Sequence, residues 1–304
     1  MALTAAEIYG FSESLLKSRF DDPQPTPDCH LEFWELCCSK RKHVAIAAPR
    51  GHAKSTAITH AYTLANVLFK EACYVIIVSD TEEQAMLFLD DIKTELLENE
   101  KLIQLFGVKR LRKDTATDII VEMHDGHAFR ILAKGSEQKI RGRKWRNKRP
   151  DLIVCDDLEN DEIVMNEERR RKFRRWMNNA LIPALAKHGR IRLVGTILHL
   201  DSYLERCMPK FEDSYTQSDE LRYWSTNPRR VWHSVRYRGH NEDFSALLWP
   251  SQWPKERYEE EKARYVDDGD PSGYSQEYLN YPIDEEHAYF QKTDFLPWEY
   301  ATEV

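Results

Sequence analysis

The chain has 304 residues, 41% of them hydrophobic and 31% charged, and carries a formal net charge of −7. This length accommodates one large domain, or one domain with an appendage, and is ample for an enzyme. No apolar run approaches the ~18–20 residues of a membrane-crossing helix, the acidic balance argues against a surface that is basic throughout, and six cysteines without Cys-x-x-Cys spacing argue against a disulfide framework or a zinc site.

The opening Met-Ala-Leu-Thr-Ala-Ala-Glu lacks the basic start and apolar stretch of a secretory signal, so the expectation is a soluble protein that stays in the reducing compartment where it is made. In chain order, His43–Ala47 reads as a buried strand, followed by a loop and a helix from about Lys54 to Lys70. Tyr74–Val78, with four consecutive aliphatics, predicts a strand covered on both faces, and Glu82–Leu97 a helix. Weaker strands near Ile119–Val121 and Phe129–Ala133, joined across Asp125-Gly126, read as a hairpin insert. Leu152–Cys155 and, after a charged helix, Ile191–Val194 complete four core strands. Strands alternating with helices predict the α/β class, with a mainly parallel sheet between helices. From Trp249 the pattern shifts to Trp-Pro turns around two helices, near Lys255–Tyr265 and Gly273–Tyr281, which places a boundary near Ser245 between a domain over 1–245 and a helical segment over 246–304.

The segment Ala48–Thr56 lies between a strand and a helix, where a phosphate-binding loop belongs. Ala48 and Ala53 stand where the usual pattern has glycines, but inward-turned amides and the helix N-terminus still suit a polyphosphate. Pro49, Arg50, Gly51, His52, Ala53, Lys54, Ser55 and Thr56 are thus the expected phosphate-binding residues, with Lys54 reaching the β- and γ-phosphates and the Ser55 hydroxyl on Mg2+. About a hundred residues on, the strand Leu152–Cys155 delivers Asp156-Asp157-Leu158-Glu159 to its C-terminal edge, the edge at which open α/β sheets bind ligands. Asp156 is the natural partner of the Mg2+, while Asp157 and Glu159 compete for the carboxylate that orients the attacking water. Gly195-Thr196 ends the next strand with a hydroxyl suited to sensing the γ-phosphate. Asn147-Lys148 misses the guanine-specificity pattern, because Asp151 is one residue too far.

Charge is unevenly placed. From Lys139 to Arg149 seven of eleven residues are Lys or Arg, and Arg169–Arg175 forms a second basic run; two such runs flanking a nucleotide motif point toward nucleic acid, with Lys144, Arg146 and Lys148 as the expected DNA-contacting residues.

The ordered set Ala48–Thr56, Ser79-Asp80-Thr81, Ile140-Arg141-Gly142, Arg149–Glu159, Gly195-Thr196, Leu248-Trp249-Pro250 and Tyr274–Asn280 resembles the ATPase domain of the large terminase subunit of tailed bacteriophages, from about Leu31 to Asn280. The resemblance implies a P-loop NTPase of the additional-strand type, an ATP- and Mg2+-dependent motor that moves double-stranded DNA into a procapsid. It implies a homo-oligomeric ring, pentameric by expectation, on the portal protein, a small terminase subunit as a further partner, and work in the host cytoplasm. An arginine inserted into a neighbouring subunit completes the site in that family; Arg141 best matches it, with Arg143, Arg146 and Arg149 as rivals, and Arg50 fits a sensor within its own subunit. An adenine-contacting segment falls at about 20–40, with His30 and Trp34 as contacts or, equally, as packing groups. Nothing after Asn280 supplies the strands of that family's nuclease domain, so no DNA cleavage is expected. Helicase-like translocases and ATP-binding switches without turnover are the rival classes; the first lacks room for a second motor domain after Val194, and the second has no need of the carboxylates beyond Asp156.

Overall fold

The computed structural model describes residues 2–210 and 213–282. Its strands are β1 (His43–Ala47), β2 (Tyr74–Ser79), β3 (Val108–Thr115), β4 (Asp118–Met123), β5 (Ala128–Gly135), β6 (Leu152–Asp156), β7 (Arg190–Gly195), β8 (Thr216–Ser218), β9 (Arg222–Ser225) and β10 (Trp232–Tyr237). They form one ten-stranded sheet in the order β3-β4-β5-β2-β6-β7-β1-β10-β9-β8. The six central strands, β5 to β10 in that order, are all parallel. An antiparallel pair closes each edge.

The four aliphatic runs lie at the centre because a parallel strand is covered by helices on both faces and cannot alternate with polar residues. One face buries Trp34, Tyr62, Leu89 and Ile92 from the helices Asp28–Cys38, 54–68 and Glu82–Glu98. The other buries Phe173, Met177, Leu181 and Tyr203 from the helical run 167–184 and the short helix Tyr203–Cys207. Arg192 of β7, only 1% exposed, donates to the carbonyls of Cys37, Arg41 and Ile191. It thereby satisfies the end of the helix Asp28–Cys38, where a cation also opposes the helix dipole.

Two sequence expectations change. The β4–β5 hairpin is not an insert: β5 pairs in parallel with all of β2, from Tyr74↔Arg130 to Ser79↔Gly135, so the hairpin extends the main sheet. The parallel core has six strands rather than four, since β5 and β10 join it. Within the expected segment 246–304, the helices Lys255–Asp267 and Pro271–Leu279 pack through Trp253, Tyr258, Tyr274 and Tyr278 into a small aromatic core of their own; the part beyond 282 lies outside the described residues.

Because β7 sits between β6 and β1, the loop after β1 and the acidic tip of β6 open on the same C-terminal edge with one strand between them. This is the additional-strand arrangement, and it sets the spacing of the site.

Candidate nucleotide-binding site

The loop after β1 is fastened from outside itself. The Ala48 amide donates to the Gly195 carbonyl at 3.0 Å, and the Arg50 amide to the Glu277 carbonyl at 2.9 Å. Trp253 donates its indole N–H to the Gly51 carbonyl at 2.9 Å. His52 is fully buried, stacked on Trp253 with ring centroids 5.7 Å apart, and its Nε2 meets the Tyr258 hydroxyl at 2.9 Å. His30 holds the His52 carbonyl at 2.9 Å. Burial drives His52 down to about 3 and His30 to about 4, so both rings stay neutral in the fold. Pro49 is buried in the turn, and Ala53 takes a φ of +48° that glycine would adopt without strain.

Gly51 has a φ of +74°, and a Cβ there would lie 2.4 Å from the Trp253 ring. Gly51→Ala therefore has to displace the indole and strain the backbone together, at an expected cost of about 2–4 kcal/mol. Urea denaturation reads it; an unfolding midpoint equal to that of the wild type would show that Trp253 does not press on the loop.

The side chains of the two motifs meet. Lys54 Nζ donates to Thr196 Oγ1 at 3.1 Å and lies 3.4 Å from Asp157 Oδ2. Thr196 donates its hydroxyl to the Ala48 carbonyl at 3.3 Å and its amide to Asp157 Oδ1 at 3.2 Å. Gly195 is close-packed, with Asp157 Oδ1 3.0 Å from where its Cβ would stand. Asp156 is fully buried; Thr59 donates to its Oδ2, Ser55 also hydrogen-bonds the carboxylate, and Ser79 donates to its backbone carbonyl at 2.9 Å. Burial, reinforced by the charge of Asp157, raises Asp156 to about 7.

Asp156 Oδ1 is buried without a hydrogen-bond partner, a state that ordinarily calls for an ion or water. One hydroxyl beside one carboxylate oxygen suits Mg2+, which takes few protein ligands and completes its shell with phosphate and water. The described residues contain no cluster of three or more His, Cys, Asp or Glu side chains placed to hold a metal ion.

Glu159 and Asp157 have different surroundings. Glu159 accepts from the Tyr203 and Leu204 amides at 2.8 and 3.1 Å, at the start of the helix Tyr203–Cys207, and burial raises its pKa. The Asp157 side chain is 49% exposed and faces the cleft. Both carboxylates line that cleft of about 460 Å3, together with Arg50, Lys54, Ser55, Thr196 and Glu277. Arg50 pairs with Glu277 across 3.1 Å.

A second cavity of about 520 Å3 adjoins it at Ser55 and Phe88, walled by Phe20, Gln24, His60 and Asp91 and floored by Ala53 and Thr56. His30 and Trp34 also line it, with His30 Nε2 at the His52 carbonyl and Trp34 Nε1 donating to the Ala57 carbonyl at 2.8 Å. Thr59, Phe20 and Gln24 were not singled out by sequence, and Ser79 and Glu277 entered only as members of segments that carry the resemblance, without a role. For Gln24 the cue was its place between Pro23 and Pro25, a loop signal.

The arginines stand elsewhere. Arg141 donates Nε to the Asn179 carbonyl at 2.6 Å, Arg143 Nε to the Lys139 carbonyl at 3.4 Å and Arg149 Nη1 to the Pro183 carbonyl at 2.7 Å. None lines either cavity of its own chain. Lys144, Arg146 and Lys148 are exposed around a tight turn in which Arg146 and Asn147 have φ of +49° and +62°.

No family model and no curated protein sequence matches the chain. Among solved structures it is similar to the large terminase ATPase domain of Thermus phage P74-26, at 17% identity over 90% of this chain and 98% of that one, with a TM-score of 0.59. It is also similar to the large terminase of a second thermophilic bacteriophage, at 11% identity and a TM-score of 0.51, over 89% of this chain and 57% of that protein. The same terminase in complex with ADP matches at 9% identity and a TM-score of 0.50, over 85% of this chain and 54% of that one. The chain thus spans little more than half of this second terminase. Strand order, the extra strand between β6 and β1 and these matches agree: the chain has the P-loop fold of phage large terminase ATPase domains.

Proposed function

We propose that the chain is an ATPase that drives double-stranded DNA into a phage procapsid. The observation that carries this reading is the convergence of Lys54, Ser55, Asp157 and Thr196 on one cleft at the sheet's C-terminal edge, with the buried Asp156 hydrogen-bonded to Ser55. In it the loop amides and Lys54 hold the β- and γ-phosphates, and the adjoining cavity beside Phe20 and Gln24 receives the nucleoside. Ser55 and Asp156 hold Mg2+, which when bound neutralises charge on the phosphate oxygens. Asp157, exposed to the cleft and oriented by the Thr196 amide, polarises the attacking water. Thr196 touches both Lys54 and Asp157, so loss of the γ-phosphate reaches β7 directly. Portal protein, small terminase subunit and a ring of like subunits are the partners this function requires, in the host cytoplasm.

Arg50 lines the cleft from its own chain, whereas no arginine of the 141–149 segment does, and Arg141 is the first choice for a charge-stabilising arginine supplied by a neighbouring subunit. Arg141→Ala is expected to lower turnover of the assembled protein at least ~tenfold, while admixed wild-type subunits regain part of it by serving variant neighbours. Steady-state hydrolysis against mixing ratio measures this; wild-type rates in Arg141→Ala, Arg143→Ala and Arg149→Ala alike would remove the shared site.

A further inference from the structure

β7 ends at Gly195 and residues 196–199 have no regular structure, so the place of Thr196 is set by individual hydrogen bonds. On its N-terminal side the Gly195 carbonyl accepts from the Ala48 amide at 3.0 Å. On its C-terminal side the Ile197 amide donates to Asn280 Oδ1 at 2.9 Å, across 83 residues of sequence. The peptide joining Thr196 to Ile197 is planar, so fixing the direction of its N–H fixes ψ of Thr196. Ile197 is fully buried. Its amide, deprived of that acceptor, would have to turn to find another, carrying Thr196 with it.

Asn280 closes the helix Pro271–Leu279 in a left-handed conformation, φ +52°, which asparagine adopts more readily than most residues that carry a side chain. Capping alone would let the side chain face solvent. Instead Asn280 is fully buried and both ends of its amide are used: Oδ1 accepts from Ile197, and Nδ2 donates to the Tyr237 carbonyl at the end of β10, at 2.9 Å. Its backbone carbonyl accepts from Arg236 at 3.4 Å, and Arg236 is paired with Glu205 on the helix Tyr203–Cys207. The Gly239 amide, donating to the Tyr278 carbonyl at 2.8 Å, fastens the same helix end. The position calls for a short group that accepts one hydrogen bond and donates another. Aspartate lacks the donor, leucine lacks both groups, and glutamine is a methylene too long.

We infer that Asn280 is a positioning residue for hydrolysis: by holding the Ile197 amide it keeps Thr196 against Lys54 and Asp157, and so makes the cleft depend on how the helix Pro271–Leu279 is seated. Asn280 does not line the cleft. It acts through Thr196, whose hydroxyl accepts from Lys54 and whose amide donates to Asp157. The phosphate loop has restraints of its own at residues 50–52, from Glu277, Trp253 and His30. Loss of the Asn280 side chain therefore displaces Thr196 and the carboxylate it orients while the nucleotide still binds. The inference rests on the ATPase reading of this cleft.

Three substitutions test it in the full chain. Asn280→Gly and Asn280→Ala both remove the acceptor, but only glycine takes this backbone conformation without strain, so the alanine variant melts lower. Both are expected to lower kcat for Mg·ATP roughly tenfold, with KM within about threefold of the wild type, the same loss despite unequal stabilities. Asn280→Asp keeps an acceptor for Ile197 beside Arg236 and is expected to regain most of that loss. Amide hydrogen exchange at Ile197 reads the contact without reference to turnover: faster in the glycine and alanine variants, close to wild type in the aspartate variant. Wild-type exchange at Ile197 in the glycine or alanine variant, or a kcat that merely follows melting temperature through all three, would overturn the proposal. A wild-type chain without Mg·ATP hydrolysis removes the ATPase reading and this proposal with it, whereas full turnover in the glycine variant of a hydrolysing chain removes the proposal alone.

Discussion

Lys54→Ala is expected to lower ATP turnover at least ~10³-fold, equivalent to about 4 kcal/mol of transition-state stabilisation. The amine is buried and held by Thr196 and Asp157, so it is pre-aimed and needs no reorganisation as charge develops on the transferred phosphoryl group. Its removal also leaves Asp157 without the ammonium 3.4 Å from its Oδ2, so that carboxylate repels the phosphates, which adds repulsion to the lost attraction. Steady-state phosphate release with excess Mg·ATP measures the effect. Turnover within tenfold of the wild type would mean that the polyphosphate does not lie against the loop after β1, and the ATPase assignment would fall with it.

Asp157→Asn is the second large effect. Asp157 sits at a φ of +43°, a conformation that asparagine tolerates well, so this substitution removes the charge and keeps the backbone. Nucleotide affinity should persist while hydrolysis drops ~10²–10⁴-fold, the range for losing a positioned general base. Glu159→Gln should do something different. Its carboxylate serves the Tyr203 and Leu204 amides, and an amide oxygen can still accept from one of them, so the expected loss is about 1 kcal/mol of stability with turnover largely kept. Single-turnover hydrolysis and thermal unfolding, run on both variants, separate the two carboxylates; if Glu159→Gln stops hydrolysis and Asp157→Asn does not, the roles are reversed.

How much of this was legible beforehand varied with how locally each feature is determined. The runs of β1, β2, β6 and β7 announced themselves because strands covered on both faces must be aliphatic throughout. Lys54 and Asp156-Asp157 followed, since each ends or begins an element at the sheet edge where ligands bind. By contrast, β3 carries Lys109, Arg110, Arg112 and Lys113, a charged edge strand whose polarity protects it from pairing with other chains and hides it from a hydrophobic pattern. β10 was hidden for a related reason: Arg236 is buried there against Glu205, a pairing visible only once residues 31 apart are brought together. The capping duty of Glu159 depends on amides 44 and 45 residues away. For His30 and Trp34 residue type alone leaves base contact and packing equal; one ring nitrogen of each meets a backbone carbonyl, that of His52 and that of Ala57, while both side chains line the second cavity.

Ala53 at φ +48° is an ordinary residue made to stand where glycine would rest, and the nearby restraints on its loop, Trp253, Tyr258 and Glu277, come from more than two hundred residues downstream. The shape of the phosphate cradle is therefore a joint property of two distant stretches of polypeptide. A chimera that exchanged only residues 43–60 with another chain of this fold would inherit a turn without its brace, and inheritance of function between relatives must keep both pieces in step.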